Sequence, residues 1–303
     1  MRRDRNTLLR ARAMRGIAAG IAMAGCSDAT STTPLVVPAF VVVGDTAGRA
    51  QLYRVQGGVI SRLSTTAGND VDPMSAAGRI VFSTDRDANY EVYIEDMAAT
   101  VSRRVTNSVA EDAHPALSPD GATIVFVSNR SGTPRLWSVP APALDATTFD
   151  APSALSTGSV SAVPEGAPAW SPDGTMLAFN SVRTGISQIY TVAATGGTAV
   201  PVTNEVGGAF NPAWSADGST IIYTSATGSL HLRKVKLSTS TASDFATDSL
   251  DLATASCNAN VCIAGEDPTG ARGSILAFPA KGGKGEAVIA RTRNERESAI
   301  LVP

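Results

Sequence analysis

Only two histidines and three cysteines occur in the 303 residues. No His-Glu-x-x-His segment and no Cys-rich ligand spacing is present, so no metal centre and no cofactor are expected. No Gly-x-Ser-x-Gly segment occurs, and without it the nucleophile elbow of a hydrolase is missing. No apolar run reaches 18 residues, so no spanning helix is expected. Aromatic residues make up 5% and charged residues 17%, which argues against a coiled coil. Basic excess is also lacking outside the first 25 residues, which hold Arg2, Arg3, Arg5, Arg10, Arg12 and Arg15 against Asp4. The remainder carries 19 basic and 26 acidic residues, a net of −7. Nucleic-acid binding needs clustered Lys and Arg, so that acidity excludes it.

What the chain does have is a repeat. Pro115–Phe126, Pro168–Phe179 and Pro212–Tyr223 align without a gap, and a weaker copy runs from Pro73 through Gly78 to Phe82. The prolines lie 42, 53 and 44 residues apart. A period near 40–45 is that of four-stranded propeller blades. In each strong copy a short strand meets a Ser-[Pro/Ala]-Asp-Gly turn, in which Pro presets φ, Asp caps and Gly takes the positive-φ position. The next run (Ile124–Ser128, Leu177–Ser181, Ile221–Ser225) is almost wholly apolar, as a strand covered on both faces requires. Third strands are expected at Glu91–Ile94, Arg135–Val139, Gln188–Val192 and His231–Val235, and fourth strands near Arg103–Thr106 and Val200–Thr203.

Weaker copies fill both ends. Phe40–Val43, Gln51–Val55 and Arg62–Ser64 read as a blade without its first strand, and Ser298–Val302 falls where that strand is due. Residues 250–292 supply a further blade. The expected fold is all-β: a six-bladed β-propeller of four-stranded antiparallel blades over residues 38–303, closed by a blade shared between the N- and C-termini. Such sharing leaves few free sheet edges. These motifs resemble the TolB-like, WD40-like (PD40) propeller repeat of bacterial envelope proteins, most strongly at the three Ser-[Pro/Ala]-Asp-Gly copies. The resemblance implies a six-bladed propeller that binds other envelope proteins, although fold does not fix the partner. The 53-residue interval holds an insertion around Pro140–Pro152, read as an outer surface loop.

The N-terminus reads as a processing signal. A basic stretch, Met1–Arg15, is followed by a short apolar stretch, Ile17–Ala24, then small residues. Secretory signals share that order. Met23-Ala24-Gly25-Cys26 resembles a bacterial lipobox, which implies cleavage after Gly25 and diacylglycerol on Cys26. An ordinary signal peptide, or a start at Met14, remains the alternative. Residues 1–25 are thus a lipoprotein signal peptide and 26–37 a tether. The expected location is the bacterial cell envelope, with the outer membrane (periplasmic side) preferred because Ser27, rather than Asp, follows the cysteine.

Candidate site residues converge on one face. The loop entering each inner strand lies at the channel mouth, and these loops carry Asp70 and Asp72, Glu111 and Asp112, His114, Glu165 and Asn211. They suit a cationic peptide end, a sugar or a metal. The competing reading is solvated loops whose side chains cap backbone N–H groups. Arg86, Arg130 and Arg183 recur in the loops between second and third strands. Each either bonds the adjacent blade's loop or joins a ring that recognises a carboxylate. His231, in a third strand, fits a solvated face. Cys257 and Cys262 flank a hairpin turn and read as a disulfide in an oxidising compartment, against two free thiols.

Together these features point to a lipid-anchored, non-catalytic, monomeric propeller that binds an envelope protein or peptide. It contacts the membrane through its anchor only. A channel-mouth enzyme of polysaccharide-lyase or hydrolase type, with His114 and Asp112 as base pair, is the second reading. An accessory or sensor domain for a separate peptidase is the third.

Overall fold

The computed structural model describes residues 37–246 except 38, 47–48, 58, 65–66, 98–100, 159–162 and 229. Beyond 246 it describes the backbone of five strands. Cys26 and the leader lie outside the described residues.

The chain opens with β1 (Phe40–Thr46), β2 (Arg49–Gln56) and β3 (Val59–Arg62). Blade one is β4 (Asp70–Ala76), β5 (Arg79–Thr84), β6 (Glu91–Asp96) and β7 (Ser102–Arg104). Blade two is β8 (Asp112–Leu117), β9 (Thr123–Ser128), β10 (Arg135–Pro140) and β11 (Ser153–Ala154). Blade three is β12 (Glu165–Trp170), β13 (Met176–Ser181), β14 (Gln188–Ala193) and β15 (Val200–Pro201). Blade four is β16 (Ala209–Trp214), β17 (Thr220–Ser225), β18 (His231–Lys236) and β19 (Thr241–Asp244). Blade five is β20 (Leu252–Cys257), β21 (Val261–Glu266), β22 (Ser274–Pro279) and β23 (Glu286–Ala290). A last strand, β24, covers Ala299–Leu301.

Five complete blades therefore form from four consecutive antiparallel strands each, and the expectation of six is corrected. The remaining sheet has the order β24-β1-β2-β3. Its first strand is half the length of the other inner strands. It meets β1 through only three residue pairs, Phe40↔Leu301, Val41↔Ile300 and Val42↔Ala299. Among the described residues three satisfy less than half of the seven-residue edge that β1 presents, so no full inner strand of a sixth blade and no closure through one is seen.

The apolar second strands are explained by packing between blades. Ile80 and Phe82 of β5 meet Val41, Val43 and Leu52, while Val81 on the other face meets Leu117, Ile124 and Phe126 of blade two. Val125 and Val127 then face Leu177, Phe179 and Tyr190, and Ala178 faces Ile221 and Tyr223. In blades one to four the second strand is buried on both faces, so the period-two alternation disappears. The insertion after β10 is no loose loop. Ala141 and Leu144 pack into the core between blades one and two, and Arg79 donates to the carbonyls of Pro142 and Gly121.

The repeated turn is locked as its sequence suggests. The Ser118, Ser171 and Ser215 hydroxyls each donate to the aspartate two residues on, at 2.5–2.6 Å. These bonds, with backbone N–H donors, hold Asp120, Asp173 and Asp217 below the usual carboxylate range. Gly121, Gly174 and Gly218 sit at φ near +70°. The repeated tryptophan also has a defined partner. Trp170 Nε1 donates to Ala116 O at 3.0 Å and Trp214 Nε1 to Ala169 O at 3.1 Å, so each indole ties its blade to the preceding inner strand.

Cys257 and Cys262 are directly opposed in the β20–β21 register. Directly opposed strand positions lie about 4.5–5.5 Å apart at Cα, within the span a disulfide needs. Their side chains lie outside the described residues, and the disulfide stands as a proposal. Titration with a thiol reagent under denaturing conditions should find neither sulfur before reduction and both after it. Immediate reaction of both would refute the bond.

Candidate functional site

Asp70, Asp112 and Glu165 do not lie in mouth loops. Each is the first residue of an inner strand and each is buried. Arg86 donates to Asp70 at 3.0 Å, Arg130 to Asp112 at 2.6 Å and Arg183 to Glu165 at 2.8 Å. Every guanidinium also lies over two rings of its own blade: Arg86 over Phe82 and Tyr93, Arg130 over Phe126 and Trp137, Arg183 over Phe179 and Tyr190. A planar guanidinium can stack and pair at once, which lysine cannot. The loop after the second strand and the start of the first lie at one end of one sheet, so these pairs form within a blade. That corrects the expected bond to the adjacent blade's loop. Blade three alone adds a neighbour: Arg183 also donates to Thr157 O at 3.2 Å, and Arg135 of blade two donates to Glu165 at 3.0 Å. Carboxylates so paired and buried are not offered to a ligand or substrate.

The inner strands begin earlier than expected because each carries a bulge. The register of β4 with β5 shifts between Val71 and Met74, and the same shift recurs in blades two, three and four. Asp72, His114, Ala167 and Asn211 occupy equivalent bulge positions, at φ of 51°, 50°, 45° and 49°. Asp, His and Asn tolerate the left-handed region better than most residues. A bulge lets the strand continue toward the following proline and redirects the side chain beside it. His114 is therefore inside β8, and not before it. Successive inner strands β4, β8, β12 and β16 pack on one another around the axis, so these bulges line the channel.

Two of the bulge residues meet. His114 Nδ1 lies 3.2 Å from Asp72 Oδ2 across the junction of blades one and two, with side chains 53% and 27% exposed. Ser83 completes the group, accepting from the His114 backbone N–H at 3.1 Å and donating to Asp72 Oδ2 at 3.4 Å. The bond from Asp72 raises the His114 pKa above its ordinary value, against the opposing effect of burial. Glu111 sits apart, in the loop before β8, with its backbone N–H on Asn129 Oδ1. Asn211 lies in blade four, two inner strands beyond His114. Among the described residues no three His, Cys, Asp or Glu side chains form a metal-ligand set.

Two carboxylates escaped the sequence reading. Glu95 on β6 is buried, and desolvation pushes its pKa up to about 7 despite Arg86 and a bond from Ser102. Glu205 accepts from Tyr223 Oη at 2.6 Å, Ser225 Oγ at 3.2 Å and Arg233 at 2.5 Å. Blade four lacks both the inner-strand acid and the loop arginine of its neighbours, with Ala209 and Thr227 in those places. Glu205 and Arg233 restore the same pair from the opposite elements. Comparing the repeat columns residue by residue carries that signal, because acid and arginine are lost together.

Residues 159–299 match the family model described as TolB beta propeller domain, PD40. Over 72 residues the chain is 32% identical to the protein TolB homolog of Chlorobium luteolum, covering 23% of this chain and 16% of that protein. Over 62 residues it is 44% identical to the uncharacterized peptidase YuxL of Bacillus subtilis, covering 20% of this chain and 9% of that protein. The matched stretches thus span under a fifth of either relative. The crystal structure of TolB from Acinetobacter baumannii superimposes with a TM-score of 0.70 at 17% identity, over 88% of this chain and 67% of that one. Residues 159–299 are thus similar to the TolB beta propeller domain, and the fold is a TolB-like propeller.

Proposed function

We propose that the chain is an exported, lipid-anchored envelope protein whose propeller binds a protein or peptide partner on the face where the inner strands begin. One observation carries this reading. Val109, Val182, Ile186 and Val206 all stand in loops of that face, and Val109 and Val206 are 104% and 80% exposed. Large exposed apolar side chains gathered on one face are candidates for an interaction surface. The arginine-paired acids beneath them supply a rigid floor and no free base. The relatives named TolB agree with a scaffold in the envelope, and the net charge of the body favours a neutral or cationic partner.

Crosslinking in intact cells followed by affinity capture should recover a specific partner. Repeated recovery of none would overturn the reading. The anchor is checked separately: an alkynyl fatty acid fed to cells should label the chain, and Cys26→Ser should abolish the label. Equal labelling of that variant would exclude Cys26 as the attachment point.

A second reading is favoured by the Asp72–His114 pair. A carboxylate that orients an imidazole and leaves Nε2 open is the arrangement of a general base. Turnover of an oligosaccharide or peptide that disappears in His114→Gln would establish it.

A further inference from the structure

We propose that Asp72 and His114 form a proton-gated site in the channel for a cationic group, an ammonium or guanidinium presented by the partner. The inference rests on the binding reading above and adds the ligand chemistry and its control.

The geometry supplies the gate. Asp72 is held by Ser83 on one side and His114 on the other, and both partners touch the same oxygen, Oδ2. Among the described residues both contacts fall on Oδ2 and the side chain is about a quarter exposed, so the Oδ1 side of the carboxylate faces the channel. With His114 protonated, the pair is neutral overall and the imidazolium charge opposes a second cation at the open oxygen. With His114 neutral, Asp72 carries an uncompensated charge in a partly desolvated channel, where a cation gains more than in bulk water. The protonated imidazole and the ligand cation thus compete to neutralise one carboxylate.

Most other charges around β8 are already committed, while Glu111 in the loop before it adds a negative charge that, with Asp72 and Asp85, bears on Tyr90. Asp112 of its own strand is paired with Arg130, and Glu165 of β12 with Arg135 and Arg183. From blade one, Glu91 is paired with Arg104, and Arg79 donates to backbone carbonyls. Glu95 lies on β6 with Arg86, Asp70 and Asp96 as its charged neighbours. Asp72 is the charged group that acts on His114. Asn211, further round the channel, adds an uncharged amide that does not oppose a cation.

The sequence makes the test simple, because His114 and His231 are the only histidines. Their ring protons give two resonances in the intact protein, and His231 serves as internal control. The probe is n-butylammonium chloride, a lysine side-chain mimic, compared with sodium chloride at equal ionic strength. Butylammonium should lower the His114 titration midpoint while leaving that of His231 in place. Below the midpoint, apparent affinity for the probe should weaken about tenfold per pH unit, the slope for one competing proton. Asp72→Asn should remove both the probe effect and the elevation of the His114 midpoint.

A His114 midpoint indifferent to butylammonium, or moved equally by sodium, overturns the proposal, as does an effect that survives Asp72→Asn. The outcomes separate from those of the binding reading. Loss of the captured partner with an intact probe effect would sink the partner and leave the site. A captured partner whose affinity ignores both pH and Asp72→Asn would sink the site alone.

Discussion

Glu165→Ala should lower the unfolding free energy by about 3–5 kcal/mol, the usual cost of removing one partner from a buried ionic group. Glu165 is 3% exposed and joins two blades: it pairs with Arg183 of blade three and Arg135 of blade two and accepts from Thr157. It also accepts from the Leu136 backbone N–H at 3.3 Å. Deleting the carboxylate leaves two guanidinium groups facing one another without compensation. Glu165→Gln keeps the shape and one acceptor, and should cost less. Equilibrium denaturation at pH 7 measures both. A loss under 1 kcal/mol for the alanine variant would mean that solvent reaches the arginines, and that the pair does not join the blades.

Glu95→Gln should have the opposite sign and depend on pH. The folded protein holds the Glu95 carboxyl at about 7, against an ordinary value of 4.5, mainly because burial disfavours its charge. The folded state therefore binds more protons than the unfolded chain between those values. Stability falls as pH rises through that window and levels off above it. The neutral amide removes the penalty. At pH 8 the variant should be more stable by up to about 3 kcal/mol, and at pH 4 the two proteins should match. Thermal melts at the two pH values decide it. An equal effect at both would assign the change to packing.

Much of the fold was legible because the repeat states it several times. The apolar runs Ile124–Ser128, Leu177–Ser181 and Ile221–Ser225 end where β9, β13 and β17 end, since burial on both faces leaves a continuous hydrophobic signature. The inner strands were read too short, because a proline and a left-handed residue look like a loop. Only the ladder shows that Asp72, His114 and Asn211 sit on bulges within strands. The composite sheet was over-read. A hydrophobic segment at Ser298–Val302 predicts a strand, yet three residues pair.

The candidate site was legible as a set of residue types at a set of repeat positions, and misread in its pairing. Asp112 was matched with His114 because they are near in sequence. In the structure Asp112 belongs to Arg130, and His114 to Asp72, 42 residues earlier. Adjacent inner strands bring equivalent positions of neighbouring blades together, a contact that no local pattern encodes. Glu95 carried no signal of its own. Its burial follows from facing the sheet of β1 to β3, which the alternation along β6 does not reveal.

The central claim is that one face of the propeller docks a partner. The direct measurement is crosslinked capture with variants on two surfaces: Val109→Asp and Val206→Asp on the channel face, and Val200→Asp on an outer strand as control. All three valines are exposed, so none should disturb the fold. Recovery of the same partner should fall at least tenfold with either channel-face variant and stay unchanged with Val200→Asp. Equal recovery from all three would contradict the account.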